Sequence, residues 1–343
     1  MPTKPILIDA LYINMGGGLM ILNHLVSNLV AENVDFVLLK DSRCPLLRDE
    51  AKISDTIVLS PSIRKHRKFY VERRNDFRAV VCFGNIPPAI RLNVPVHTYF
   101  HNVSLLKIPT GYTTKAKVLS FLKRTHIRSL AKNTDTWIVQ TSYTGSLVRK
   151  HLAKSSQPIL EYPFFIMPDS EAKAHSDQRT DYVFIGDYTS AKGHEYLLEA
   201  WQKLKSRGFN GKLHLTVSEE PFKTVVEKAI ANGVNIHNHG KIPFSQVLEL
   251  YRKSKATVYP SLNESLGLGI IEAIRMGCDV IGPDLPYMHC VCRPSVLFSP
   301  ADADSIVEAV LRYENTPTPR TVLNISDKVK DFIAFISQSR INA

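Results

Sequence analysis

PSLNESLGLGIIEAIRMGCDVIGPD, residues 260–284, is the stretch whose reading decides the fold. It takes over where the apolar run ATVYP (256–260) ends. It then passes through a turn holding Gly267 and Gly269, a helical stretch closed by a glycine, and a second apolar run, DVIG (279–282). Short apolar runs that flank a helix read as buried strands, and strands joined through a helix run parallel. Working outward, the alternation continues. PILID (5–9), DFVLL (35–39), AVVCF (79–83), VHTYF (96–100) and TWIVQ (136–140) are candidate strands of the first half. YVFIG (182–186), KLHLTV (212–217) and VNIH (234–237) join them in the second. Helical stretches such as LMILNHLVSNLVAE, HEYLLEAWQKLKSRG and FSQVLELYRKS lie between them. Strands that are apolar on both faces predict parallel sheets covered on both sides. The pattern occurs twice in 343 residues, which predicts an α/β protein with two doubly wound, Rossmann-like domains. The Pro-containing, then polar stretch 161–182 predicts the boundary. The expected domains are therefore 1–165 and 166–325, with a last helix in 326–343 that can pack back on the first.

The composition, 44% hydrophobic and 22% charged, is that of an ordinary globular protein. No apolar run reaches the ~18–20 residues that a membrane span needs. The start, MPTKPILIDALYI, lacks the long apolar core of an export signal, so a cytoplasmic location is expected. Cys44, Cys82, Cys278, Cys290 and Cys292 are scattered, with no second pair to complete a zinc site, and are expected to be reduced.

The net charge of +11 is unevenly placed. Residues 1–165 hold 23 Lys and Arg against 11 Asp and Glu, and residues 166–343 hold 20 against 21. Such asymmetry points to a polyanion facing the first half, either nucleic acid or an anionic membrane surface. Two segments concentrate it, IRKHRKFYVERRNDFR (63–78) and KAKVLSFLKRTHIRSLAK (115–132). On a helical wheel Val118, Leu122, Leu119 and Leu130 share one arc; Lys117, Arg124, Arg128 and Lys132 share another; Phe121 and Ile127 break the pattern. A plain solvated face accounts for these charges too. No nucleic-acid-binding module accompanies them, so nucleic acid is not an expected partner and an anionic membrane surface is the functional alternative.

LYINMGGGLMILNHL (11–25) places Gly16, Gly17 and Gly18 between the first strand and the first helix. A tight strand-to-helix turn explains them. So does a ligand that touches bare backbone beside helix amides. The pattern is not G-x-G-x-x-G, so a dinucleotide fingerprint is absent. In the stretch 260–284, Ser265, Leu266, Gly267 and Leu268 lie between a strand end and a helix, where N–H groups suit a diphosphate. Glu272, in the helix, can accept two hydrogen bonds from a vicinal diol such as that of ribose. Glu264, before the helix, can hold hydroxyls of a second ring. Taken singly, either is an ordinary first-turn or helical glutamate. Asp302-Ala303-Asp304 spells D-x-D but directly precedes a helical run, so it is read as a helix N-cap and not as a metal site.

Together these segments resemble GT-B glycosyltransferases, specifically glycosyltransferase family 4. Its E-x7-E motif is matched from Glu264 to Glu272, followed by Ala273, Gly277 and VIG. FIGDYTSAKGHEYLLEA (184–200) resembles the family's G-R-x(n)-K-G-x3-LL-x-A segment through Gly186, Lys192, Gly193, Leu197, Leu198 and Ala200. HGKIPFSQVLELYRKSKATVYPS (239–261) matches the approach to the motif, and the first half matches only in its glycine turn and in YFHN, 99–102. The resemblance implies a retaining transfer from a nucleotide-sugar donor to a glycan or lipid-linked acceptor, without metal or other cofactor. It assigns Glu272 to the ribose and Glu264 to the donor sugar. Lys192 and the amides of Leu266 to Leu268 are assigned to the diphosphate. Gly17 and Gly18 would approach the donor from the first domain, and His101 would meet the sugar or the reaction centre. A structural role for His101 stays open, and His97, four residues earlier on a strand, would not converge with it on a metal. Asp187 stands where the family often has an arginine, which leaves room for a non-catalytic, donor-binding subunit.

Overall fold

The computed structural model describes residues 4–108, 112–166 and 179–339. The chain divides into two compact units. One comprises Met1–Ile108, Thr113–Ile166 and Ser326–Ala343; the other comprises Pro109–Tyr112 and Met167–Ile325. Residues 167–178, inside the expected boundary segment, lie outside the described residues.

The first unit runs β1 (Ile6–Ala10), α1 (Gly16–Ala31), β2 (Phe36–Asp41), β3 (Asp55–Leu59), α2 (Ile63–Arg73), β4 (Ala79–Cys82) and β5 (Val96–Phe100). It continues with α3 (Thr114–Leu130), β6 (Thr136–Val139), α4 (Ser142–His151) and β7 (Ile159–Glu161). Its seven strands form one parallel sheet in the order β3-β2-β1-β4-β5-β6-β7. Every residue of β1, β2, β4, β5 and β6 is buried, as expected for strands covered on both faces. The order reverses between β1 and β4. Chain ends diverge at such a reversal and leave a crevice for ligands at the carboxyl edge.

The second unit repeats the plan with β8 (Asp181–Phe184), α5 (His194–Ser206), β9 (Leu213–Leu215), α6 (Phe222–Ala231), β10 (Ile236–Asn238), α7 (Phe244–Lys253) and β11 (Ser254–Val258). Then come α8 (Leu268–Arg275), β12 (Asp279–Pro283), α9 (Pro286–Val291), β13 (Cys292–Arg293), β14 (Val296–Phe298), α10 (Ala303–Asn315) and β15 (Val322–Leu323). Six strands form a parallel sheet in the order β10-β9-β8-β11-β12-β14, which reverses between β8 and β11. β13 and β15 make a separate antiparallel pair. The stretch 260–284 forms the turn, helix and second strand of β11-α8-β12, and β11 and β12 are paired neighbours. Asp302 caps α10, its Oδ1 accepting from the Ser305 N–H at 3.0 Å.

The chain then returns to the first unit as α11 (Val329–Gln338). Phe332 stacks on Phe164 and meets Tyr99 edge-on, and the Arg78 guanidinium donates to the Ser337 carbonyl at 2.9 Å. No disulfide joins the five cysteines, and among the described residues no helix is long and apolar enough to cross a membrane.

The wheel drawn for 115–132 needs correction. α3 buries Ser120 and Ile127, and Ile127 was a residue that broke the pattern. Val118, Leu119 and Leu122, which formed the apolar arc, are exposed, as is Phe121.

Candidate active site

In the second unit the site grows from the ends of β8 and β11, the pair at which the sheet order reverses. Two loops leave there, one through Gly186 to Lys192 and Gly193, the other from Tyr259 to Gly267. They are joined backbone to backbone. The Leu262 N–H donates to the Ala191 carbonyl at 2.7 Å, and Ser261 Oγ lies 3.3 Å from the same carbonyl. Gly193 has φ +67°, and a Cβ there would sit 2.4 Å from the Pro260 carbonyl oxygen, so only glycine fits. This junction sets Lys192 against Glu264.

Lys192 Nζ donates to Glu264 Oε1 at 2.6 Å. The same oxygen accepts from Ser261 Oγ at 2.8 Å and from Tyr259 Oη at 3.0 Å. Burial, with the Glu264 charge added to it, drives the Tyr259 phenol well above its usual range, so it stays a donor. Tyr287 braces the group by donating to the Ser261 carbonyl.

Helix α8 begins one step further on. Gly267, at φ +71°, occupies its N-cap without a side-chain cap, so the first-turn amides rely on other acceptors. The Leu266 side chain is buried, whereas Ser265 and Leu268 are half-buried. Glu272 lies further along the same helix. Burial pushes its carboxyl up to about 7, against the pull of the Lys192 charge. Lys192, Glu264 and Glu272 therefore share one electrostatic environment at the end of one sheet.

Asp187, in the arginine position of the resemblance, hydrogen-bonds the carboxyl of Glu219. Burial and the Glu219 charge raise the Asp187 pKa. Burial acts the same way on Glu219, but hydrogen bonds from Ser218 Oγ, the Tyr188 N–H and Asp187 outweigh it and hold Glu219 low. Asp187 thus faces a second carboxyl and supplies no positive charge to the site.

In the first unit the corresponding reversal lies between β1 and β4. Asp9, at the end of β1, accepts from Tyr70 Oη at 2.6 Å, meets His66 Nε2 at 2.6 Å, and accepts from the Leu11 N–H at 3.1 Å. Burial opposes protonation of His66, yet the Asp9 carboxylate outweighs it and raises the His66 pKa. A Cβ on Gly84 would fall 2.1 Å from the Leu11 carbonyl oxygen, so the chain after β4 passes directly against the chain after β1.

Gly16 to Gly18 form the first turn of α1, whose N-cap Met15 gives no side-chain cap. Gly17 is exposed. A Cβ on Gly18 would meet His101 Cε1 at 3.2 Å, which gives that glycine a local reason. The His101 N–H donates to Asn85 Oδ1 at 2.7 Å, and its Nε2 lies 3.1 Å from the Phe83 carbonyl. Burial lowers the His101 pKa to about 4, so the ring is neutral at physiological pH. His97 lies lower on β5, within 3.0 Å of Ser339 Oγ, and does not join it.

Within the second unit the structure thus brings Lys192 onto Glu264 and places Ser265 to Leu268 at the helix start. Within the first it brings Gly18 onto His101. Sequence reading missed Tyr259, Ser261, Asn85 and Glu219. Tyr259 and Ser261 stand two apart at the end of β11, a spacing that sends both side chains to one side of an extended chain. That was the available signal.

Comparison with known proteins matches residues 179–315 to the family described as "Glycosyl transferases group 1". The O-antigen chain mannosyltransferase RfbU of Salmonella typhimurium (strain LT2) is 35% identical over 78 residues. That stretch is 22% of this chain and 22% of the relative, so about a fifth of the relative's length is spanned. Among solved structures, sucrose-phosphate synthase from Thermosynechococcus elongatus superposes with a TM-score of 0.69 at 17% identity, covering 91% of this chain and 90% of that one. Anabaena HepE in complex with UDP-glucose gives 0.68 at 12% identity, covering 98% and 95%. The lipopolysaccharide outer core galactosyltransferase WaaB gives 0.64 at 13% identity, covering 90% of each chain. Residues 179–315 thus match the group 1 glycosyltransferase family, and the chain has the GT-B fold.

Proposed function

We propose that the protein is a retaining glycosyltransferase of family 4, moving a sugar from a nucleotide-sugar donor to a glycan or lipid-linked acceptor. The observation that carries this reading is the Lys192–Glu264 contact at the head of the uncapped helix that bears Glu272. Glu272 accepts from the ribose hydroxyls and Glu264 from the donor sugar. Lys192 and the amides of Leu266 to Leu268 hold the diphosphate, and Gly17, Gly18 and the neutral His101 serve the sugar. As the bond from the anomeric carbon to the diphosphate breaks, its electron pair passes to the β-phosphate oxygen. Lysine and amides stabilise that charge more as it grows, which is the condition for catalysis. The acceptor oxygen then forms its bond on the face the diphosphate is leaving, and its proton passes to the departing phosphate oxygen. No metal enters this scheme.

The likeness to a structure holding UDP-glucose supports the donor class, and the names RfbU and WaaB support a role in surface polysaccharide or lipopolysaccharide assembly. The basic first half supports work at the cytoplasmic face of an anionic membrane. The Asp187–Glu219 pair favours the second reading, a weak or inactive donor-binding subunit. Incubation with a panel of nucleotide-sugars, with mass detection of products, separates the two. Release of nucleoside diphosphate with one donor supports the enzyme, binding without turnover supports the subunit, and neither result with any donor overturns both.

A further inference from the structure

We propose that the cavity at the amino edge of the first sheet, beside the end of α11, is a second binding site that takes a neutral saccharide. The cavity holds about 670 Å³ and lies where β5 and β6 begin. Pro95, His97 and Thr136 stand in its wall, with Phe335 of α11 and Ser339 just past that helix. All of its lining residues belong to the first unit. A strand rises about 3.3 Å per residue, so His97 stands roughly 13 Å from His101 at the opposite, carboxyl edge. The cavity is therefore distinct from the edge that carries the glycine turn.

The second observation is the state of His97. The residue is 4% exposed, and its Nδ1 has no hydrogen-bond partner among the described residues. Ser339 Oγ donates its one proton to the Phe335 carbonyl at 3.1 Å. His97 Nε2, 3.0 Å from that hydroxyl, must then carry the hydrogen that joins them. Nδ1 is left as a bare lone pair. Burial lowers the His97 pKa to about 4, so no proton fills that lone pair at physiological pH. A buried acceptor without a donor is costly, and a ligand hydroxyl relieves it.

The rest of the wall decides the class of ligand. Arg91 and Asp135, both partly exposed, form an ion pair, and Asp135 Oδ2 also accepts from the Val96 N–H at 2.9 Å. The pair is neutral in sum. An anion would find its cation already answered, and a cation its carboxylate. Leu92, Val94 and Pro95 add apolar wall, and the half-buried Phe335 ring meets the His97 ring edge-on at 4.8 Å. A lipid chain would cover these and leave His97 Nδ1 without a donor. A pyranose answers both. Its hydroxyls donate to Nδ1 and bridge the paired charges, its C–H faces lie on the apolar wall, and the volume is that of a small-ligand site. The inference rests on the proposed function for its purpose, to hold part of a glycan acceptor away from the reaction centre. Saccharide binding itself does not require transfer.

Imidazole nitrogen NMR of the histidine-labelled full chain tests it, with the methyl pyranosides of mannose, galactose and glucose as probes. At least one is expected to shift the His97 Nδ1 signal and to raise the melting temperature saturably. His97→Phe, which keeps a ring without the lone pair, should weaken that binding about tenfold. Asn93→Trp, at an exposed position of the lining, should abolish it by filling the cavity, with the melting temperature of the free chain unchanged. No response to any pyranoside, or a response unchanged in Asn93→Trp, overturns the proposal. Uridine or adenosine moving the Nδ1 signal where the pyranosides do not overturns it in favour of a nucleoside. Donor turnover should be unchanged in Asn93→Trp. Pyranoside binding in a chain that turns over no donor sinks the function alone; donor turnover with no pyranoside response sinks this site alone.

Discussion

Lys192 and Glu264 meet at 2.6 Å although 72 residues separate them, and the oxygen that receives the lysine also receives two hydroxyls, from Tyr259 and Ser261. Three donors on Oε1 fix the direction of the carboxylate. Oε2 makes no hydrogen bond among the described residues and, on the proposed reading, faces the donor sugar. The lysine is held by the glycine junction on one side and its ion pair on the other.

Lys192→Ala is expected to lower the rate of transfer roughly 10²–10³-fold, the cost of losing one strong donor to a developing oxyanion. The fold should survive, because Glu264 keeps its two hydroxyl partners. Steady-state kinetics beside a thermal melt checks this. A variant that melts normally and turns over within a few-fold of wild type would remove the lysine from the diphosphate.

Glu272→Gln probes the buried carboxyl. In the folded chain Glu272 holds its proton up to about pH 7, while in the unfolded chain it releases it near 4.5. Between those values the folded state binds the extra proton. Its stabilising contribution is therefore full below about pH 4.5 and is lost as pH rises through 7. Glutamine stays neutral throughout. Its stability should gain on that of wild type as pH rises from 5 to 8, by on the order of 2 kcal/mol, read as a growing difference in melting temperature. A constant difference across that range would show that burial does not perturb Glu272.

Gly193→Ala forces a Cβ to 2.4 Å from the Pro260 carbonyl at a left-handed φ, and neither backbone can yield without parting the two loops. The expected loss is about 2 kcal/mol or more in stability, with a fall in turnover as Lys192 leaves Glu264. Gly208→Ala is the control. Its φ is +80° but a Cβ there meets open space, so it should cost only about 1 kcal/mol. Calorimetry of both variants isolates the close approach, and equal losses would contradict it.

Asp187→Asn keeps a hydrogen bond to Glu219 and removes the ionisable group beside it. If Asp187 is only a partner of Glu219, transfer should stay within about fivefold of wild type, about 1 kcal/mol. A loss as large as that of Lys192→Ala would place Asp187 in the donor site.

The interior strands were legible because strands covered on both faces are continuously apolar. β3, with its half-exposed residues, and the three-residue β7 and β14 were not, because strands at or near a sheet edge need neither length nor apolarity on both sides. Glu264, Glu272 and Lys192 could be read from local spacing and resemblance. Glu219 could not, because it meets Asp187 through the pairing of β8 with β9, and pairing belongs to the sheet. In α3 the reading failed for a physical reason. Amphipathic pattern predicts which face is apolar, and the structure turns that face outward.

The most direct measurement of the central claim is the release of nucleoside diphosphate from a panel of nucleotide-sugars by the wild-type chain, Lys192→Ala and Glu272→Ala, with acceptor present and product anomeric configuration read by NMR. One donor should be turned over with its configuration retained, and both variants should lose most of that activity. An inverted product, or turnover indifferent to both substitutions, would contradict the account.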